Sequence, residues 1–362
     1  MQISAAISRD PAQPFSVEAV DIGDPREGEV LVRVAACGIC HTDIGMRALV
    51  PQPVVLGHEG SGVVEKVGPG VAKVAPGDHV VMTFGSCGTC PQCQIGKPSY
   101  CDHFRDYNFA CVRADGSHTL SQDGSHVHGF FFSQSSFATY AMGTERSVVK
   151  VAADLPLELL GPLGCGFQTG AGAVLNTFAP PAGSSIAVFG VGSVGLSAIM
   201  AARIAGCLPI IAVDIMGSRL DMALSLGATH AVDAREGDPI EEINKIMPGG
   251  VHYSLESTGI PETVPQVIGS LRRLGVAGLL GAAREGHEIP AGLFFPGLGR
   301  TVKGIAEGDS IPDLFIPKLI EMYVAGRFPM DRLVTYYDFD DINTAIDDAA
   351  AGRCVKPILR MS

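Results

Sequence analysis

A short apolar run, a glycine turn and a helix follow one another without interruption near the middle of the chain, and few folds accept that order. Ser185-Ile186-Ala187-Val188-Phe189 has the composition of a strand buried on both faces. It leads directly into Gly190-Val191-Gly192-Ser193-Val194-Gly195 and then into residues 196–203, a segment of good helix formers. The three glycines permit the tight turn, a close backbone approach to a pyrophosphate, and close packing of helix on strand. Unpaired N–H groups at the helix start add partial positive charge for the phosphates. A second apolar run, residues 210–213, ends in Asp214, nineteen residues past Gly195. A carboxylate there accepts hydrogen bonds from an adenosine ribose and repels a 2′-phosphate, so the expected cofactor is NAD rather than NADP.

The alternation continues, with a helical pattern over residues 218–226 and strand-like runs at 230–232, 253–256 and 276–280. This predicts an α/β architecture with a doubly wound parallel sheet. A chain of 362 residues exceeds what one core usually holds, so a second domain is expected. Residues 159–202 carry no charge, but Pro180-Pro181 and frequent glycines break any continuous apolar helix, which argues against a membrane span. Met1-Gln2-Ile3-Ser4-Ala5 lacks a basic patch followed by an apolar run, so no export signal is expected and the protein reads as soluble and cytoplasmic. With 38 acidic against 26 basic side chains the net charge is −12, which opposes general binding to nucleic acid or anionic membranes.

Four of the ten cysteines form C-x2-C-x2-C-x7-C at Cys87, Cys90, Cys93 and Cys101, in a stretch rich in glycine and proline. The two-residue gaps let a tight turn aim successive sulfurs at one point, and the longer gap lets the loop return. Four thiolates satisfy a tetrahedral zinc as a closed structural site. An iron–sulfur cluster is the rival occupant. Cys40, His58 and Cys165 are scattered, in Cys37-Gly38-Ile39-Cys40-His41-Thr42-Asp43, Gly57-His58-Glu59-Gly60 and Gly164-Cys165-Gly166. Their spacing does not show that they converge. Two cysteines and one histidine, with water in the fourth place, are the donors of an open catalytic zinc.

Taken in order, these motifs resemble the zinc-dependent medium-chain alcohol dehydrogenases across almost the whole chain. The stretches at residues 130–138 and 161–176 look most like the aryl-alcohol (benzyl-alcohol) branch. The resemblance implies a GroES-like β-rich catalytic domain, residues 1–166 and 304–362, interrupted by a Rossmann domain at 167–303. It assigns the catalytic zinc to Cys40, His58 and Cys165, with Glu59 beside the metal, and the structural zinc to the four-cysteine loop. Asp43 would orient His58, and Thr42 would take the alcohol proton. NAD would lie against Gly190, Gly192, Ser193, Val194, Gly195 and Asp214, with His41, Thr169, Arg219 and Lys356 as further contacts. Leu49, Thr83, Phe131 and Phe132 align with the substrate pocket. The implied reaction passes hydride from a primary aryl or allylic alcohol to NAD and leaves the aldehyde.

One position departs from the family pattern. Gly45 stands five residues after Cys40, where the family usually carries a relay histidine, so the proton must leave by His41, the cofactor ribose or water. A small Thr83 leaves room for a ring. Two alternatives belong to the same fold: a dehydrogenase of hydroxymethylglutathione, which would need basic residues where Leu49 and Asp106 stand, and a relative that has lost its chemistry. A polyol dehydrogenase is disfavoured by Cys165, and a zinc-ribbon nucleic-acid module by the acidic balance. A homodimer or homotetramer is expected, with residues 276–280 and Ile305 as candidate interface segments. Cys37, Cys111, Cys207 and Cys354 read as buried thiols.

Overall fold

The computed structural model describes residues 1–281, 288–294 and 296–361. They divide into two compact units, Met1–Cys165 with Ile311–Lys318 and Asp331–Ser362, and Gly166–Ser310 with Leu319–Met330.

The first unit is built on the strand Glu29–Gly38, whose side chains are all buried or half-buried except Arg33. This strand pairs antiparallel with Glu59–Val67, Tyr140–Thr144 and the C-terminal Lys356–Arg360. Two register shifts against Glu59–Val67 sharpen its twist. The last strand runs beside residues 36–38, which sets Lys356 next to Ile39 across more than 300 positions of sequence. A five-stranded sheet, ordered Val54–Val55, Gln2–Ser8, Ser16–Ile22, Leu120–Gln122, Ser125–Val127, closes the other side of the unit.

Backbone contact explains two glycines here. A Cβ on Gly161 would strike the Glu59 carbonyl, and one on Gly164 the Met82 carbonyl. Only bare backbone lets the turn that carries Cys165 settle onto these strands.

The second unit holds a six-stranded, wholly parallel sheet in the order His230–Asp233, Ile210–Asp214, Ile186–Phe189, Val251–Glu256, Leu271–Leu279, Thr301–Gly304. The sequence reverses direction across the sheet beside Ile186–Phe189, the switch point at which such folds bind dinucleotides. Residues 186–189 are all buried, as a strand covered on both faces requires. Helices Ser193–Ala205 and Gly217–Leu226 follow their strands as the pattern predicts. One expectation changes. Residues 276–279 are paired on both sides, so among the described residues the edge strands of this sheet are Thr301–Gly304 at this end and His230–Asp233 at the other, and Ile305 just past the former is buried. Among the described residues no helix is long and apolar enough to cross a membrane.

Candidate active site

Cys40, His58 and Cys165 come together in the first unit, each offering one ligand atom within 4.8 Å of the others. Cys40 lies two residues past the long strand and is the N-cap of the short helix His41–Met46, so Thr42 falls in that helix's first turn. Asp43, fully buried, ties this turn together. One carboxylate oxygen accepts from the Cys40 N–H at 2.9 Å, and the other accepts from the Gly57 N–H at 3.0 Å and lies 2.7 Å from His58 Nδ1. A proton held on Nδ1 leaves Nε2 as the lone-pair atom. That Nε2 is buried and has no hydrogen-bond partner among the described residues. An unpaired buried acceptor facing two sulfurs suits a metal, and two thiolates with one imidazole suit zinc.

The charge on Cys40 agrees with this, and a bound cation would displace the proton that His58 otherwise favours. The Cys165 thiol holds the Cys40 pKa well below its usual value against the effect of burial, favouring the thiolate that ligates metal. Burial opposes protonation of His58, but Asp43 and Cys40 outweigh it and raise its pKa well above the ordinary value.

Phe132 stacks on the His58 ring at 4.4 Å between centroids and 26° between planes, and Phe131 meets it edge-on at 5.6 Å. Both aromatic residues are buried. A residue the sequence did not single out completes the clamp. Gln134 Nε2 donates to the His58 carbonyl at 2.9 Å, while its Oε1 accepts from the Gly60 N–H at 3.1 Å. Nothing in the local pattern signals this, because the bonds span more than seventy residues.

Glu59 is buried beside this cluster, and its partner corrects an expectation. The resemblance points Lys356 at the pyrophosphate. Here Lys356 is 1% exposed, and its ammonium donates to both Glu59 oxygens at 3.0 and 2.8 Å and to the Ile39 carbonyl at 3.1 Å. All three donors are spent inside the unit. Burial raises the Glu59 pKa despite the neighbouring charge, and Glu59 raises that of Lys356 against the effect of burial.

The other expected residues are more dispersed. Thr83 is fully buried and its hydroxyl donates to the Gly164 carbonyl at 2.7 Å, so it anchors the turn before Cys165. Leu49 is 74% exposed, Thr42 is half-buried and His41 is exposed.

Cys87, Cys90, Cys93 and Cys101 also present their sulfurs within 4.8 Å of one another. Backbone N–H groups of Thr89 and Cys90 donate to Cys87 Sγ at 3.4 and 3.2 Å, and that of Cys93 donates to Cys90 Sγ at 3.5 Å. Against the effect of burial these donors pull the Cys87 pKa down to about 6, whereas burial pushes that of Cys101 up to about 12. Four close sulfurs need a cation to be anionic together. Cys37, Cys111, Cys207 and Cys354 are buried, as expected.

In the second unit Gly190 adopts φ +81°, and a Cβ on Gly195 would strike the Gly190 carbonyl. The helix starts at Ser193 with Gly192 as its cap. Asp214 ties turn to strand: it accepts from the Val191 N–H at 2.7 Å and from the Ile215 and Met216 N–H groups at 2.8 and 2.9 Å. Ser257 adds a support absent from the motif, donating to the Gly190 carbonyl at 2.7 Å. Arg219 is half-buried, and its Nε has no partner among the described residues. Thr169 donates to Glu307 at 3.4 Å.

Comparison with known proteins agrees with this geometry. Residues 26–153 match the alcohol dehydrogenase GroES-like domain, and residues 193–323 the zinc-binding dehydrogenase family. The chain is 44% identical over 360 residues to a geraniol dehydrogenase of Castellaniella defragrans, covering 98% of this chain and 96% of the relative. The solved benzyl alcohol dehydrogenase from Acinetobacter calcoaceticus superposes with a TM-score of 0.96 at 45% identity, each chain covered completely. An alcohol dehydrogenase zinc-binding domain protein from Burkholderia ambifaria gives 0.97 at 51% identity, with 100% of this chain and 99% of that one covered. The chain therefore belongs to the zinc-dependent medium-chain alcohol dehydrogenases, a family that zinc and NAD fit as cofactors.

Proposed function

We propose that this dehydrogenase interconverts primary aryl or allylic alcohols and their aldehydes with NAD. The carrying observation is the buried set of Cys40, His58 and Cys165, with an unpartnered His58 Nε2 and a phenylalanine lying flat on the imidazole. Relatives named geraniol dehydrogenase and benzyl alcohol dehydrogenase support an allylic or aryl substrate. Cys40, His58 and Cys165 would hold a zinc ion, which when bound would supply a Lewis acid for the alcohol oxygen, and NAD would supply the hydride acceptor.

The chain's own residues do the rest. Asp43 fixes the His58 tautomer and ring plane. Thr42 takes the alcohol proton, and because Gly45 offers no side chain, that proton passes on through His41, the cofactor ribose or water. Phe131 and Phe132 supply apolar surface beside the reacting centre. The Asp214 carboxylate disfavours a 2′-phosphate and so selects NAD. The chain pairs with a second copy through the edge strand Thr301–Gly304 as a homodimer or homotetramer.

NADH formation with benzyl, cinnamyl, geranyl, ethyl and hydroxymethylglutathione alcohols tests the reading, with NAD and NADP side by side. Fast turnover of the ring-bearing or allylic alcohols with NAD supports it. Preference for hydroxymethylglutathione, or for NADP, overturns the corresponding part.

A further inference from the structure

Ten histidines are present, and three of them crowd one corner of the first unit that no part of the reaction uses. The His118 ring lies parallel to His126 at 4.4 Å between centroids and 13° between planes, and meets His128 edge-on at 4.8 Å. His118 precedes the strand Leu120–Gln122, and the other two flank Val127 on the returning strand Ser125–Val127, so a hairpin assembles the trio.

Two of the rings ride on fixed backbone. The His118 carbonyl accepts from Arg113 at 2.7 Å, and Arg113 is itself paired with Glu29 at 2.6 and 3.0 Å. That pairing cancels the nearby cation. The His128 N–H donates to the Pro53 carbonyl, and its carbonyl accepts from the Val55 N–H, both at 2.9 Å. His126 is exposed on the short hairpin, so packing does not fix its rotamer.

The nitrogens carry the argument. Nδ1 of His118 and Nδ1 of His128 are both buried, and neither has a hydrogen-bond partner among the described residues. A buried imidazole nitrogen normally finds a donor, an acceptor or a metal. Burial, and then the neighbouring imidazoles, lower the pKa of both rings, which favours the neutral form whose lone pair ligates metal. Three imidazoles are donors of borderline softness, suited to zinc, nickel or copper rather than calcium or magnesium.

We propose that His118, His126 and His128 form a third metal site, remote in role from the two cysteine-bearing ones, that takes a single divalent transition-metal ion. His118 and His128 form its fixed part, and His126 turns in to complete it with water in the remaining places. The nitrogens do not yet converge as the ligands of the two other groups do, so closure by the exposed ring is part of the proposal.

The test uses tag-free, zinc-replete enzyme titrated with Ni2+ by calorimetry, alongside His126→Ala. That substitution removes an exposed side chain and leaves fold and alcohol oxidation unchanged. The expected result is one Ni2+ per chain beyond the resident zinc, with affinity falling at least about tenfold in the variant, since even outer-shell losses at metal sites cost that much. Cu2+ bound to the wild type should show nitrogen hyperfine structure that loses a coupling in His126→Ala. Absence of Ni2+ binding, or equal affinity in wild type and variant, overturns the proposal.

Discussion

Replacing Lys356 by Met separates the two roles open to that lysine. Met keeps most of the volume and apolar stem, so packing changes little. What disappears is an ammonium that is 1% exposed and makes three hydrogen bonds, two to Glu59 and one to the Ile39 carbonyl. Glu59 is then a fully buried carboxylate without a counter-charge, and breaking a buried pair in this way costs about 3–5 kcal/mol. Adding Glu59→Gln to Lys356→Met removes the stranded charge and should recover about 2 kcal/mol or more, a coupling expected of residues in contact. The assay is urea unfolding of the zinc-loaded protein by far-UV circular dichroism, since the chain has no tryptophan.

The pH dependence gives a second handle. The folded pKa of Glu59 is already raised by burial, and loss of Lys356 raises it further. A raised carboxyl pKa contributes stability that is full below the unfolded value of about 4.5 and is lost as pH climbs toward the folded value. The variant's deficit should therefore widen above pH 4.5. A deficit under about 1 kcal/mol, flat with pH and accompanied by a raised KM for NAD, would refute the reasoning and return Lys356 to the pyrophosphate.

Three further outcomes are expected. Cys93→Ser should lower bound zinc from about two to about one per chain and make residues 85–105 sensitive to protease, read by metal analysis and limited proteolysis. Phe132→Ala should destabilise the β-rich unit by about 3–5 kcal/mol in urea and, through the lost stack on His58, cut kcat/KM for benzyl alcohol roughly tenfold. Burial and neighbouring imidazoles depress the folded pKa of His118 and His128. Their contribution is therefore present above pH 6.5 and lost as pH falls through the lowered values, so the double variant His118→Gln/His128→Gln should show a flatter urea midpoint below pH 6.5.

The nucleotide turn was legible because its signals are local: three glycines, a buried strand and an acidic strand end within thirty residues. The four-cysteine loop was legible for the same reason. Cys40, His58 and Cys165 were named only through a resemblance, since nothing in their spacing requires the turn of bare glycines that brings Cys165 against the strands. The Glu59 partner of Lys356 and the second pairing of residues 276–279 were not legible, for one shared cause. Where a side chain's donors point, and which strand lies at an edge, depends on partners outside the local pattern, 297 and 317 positions away for Lys356 and 25 positions away for Val276, which pairs with Thr301. Gln134 and the histidine trio were invisible because their bonds and ring contacts are made entirely in three dimensions.

The segment around Phe132 shows what such long-range assembly can impose. Phe130, Phe132, Ser133 and Ser135 all have left-handed backbone, at φ 72°, 51°, 51° and 56°. Side chains other than glycine resist that conformation by about 1–2 kcal/mol each. Four instances within six residues persist only where surrounding bonds over-determine the path. Those bonds are present. Ser135 Oγ accepts from the Phe131 N–H at 2.8 Å and donates to the Val55 carbonyl at 2.6 Å, Ser133 Oγ donates to the Tyr107 carbonyl at 2.9 Å, and Ser136 Oγ donates to Gln134 Oε1 at 2.9 Å. The run of three phenylalanines followed by three serines and a glutamine is therefore neither plain core nor plain loop. The polar side chains hold a bend that the aromatic ones would not adopt alone, and the bend lays one ring flat on the histidine whose other nitrogen faces the two sulfurs. Strain concentrated beside the candidate metal ligands, and fastened there by bonds to two separate segments at Val55 and Tyr107, is what a site needs when its wall must not move.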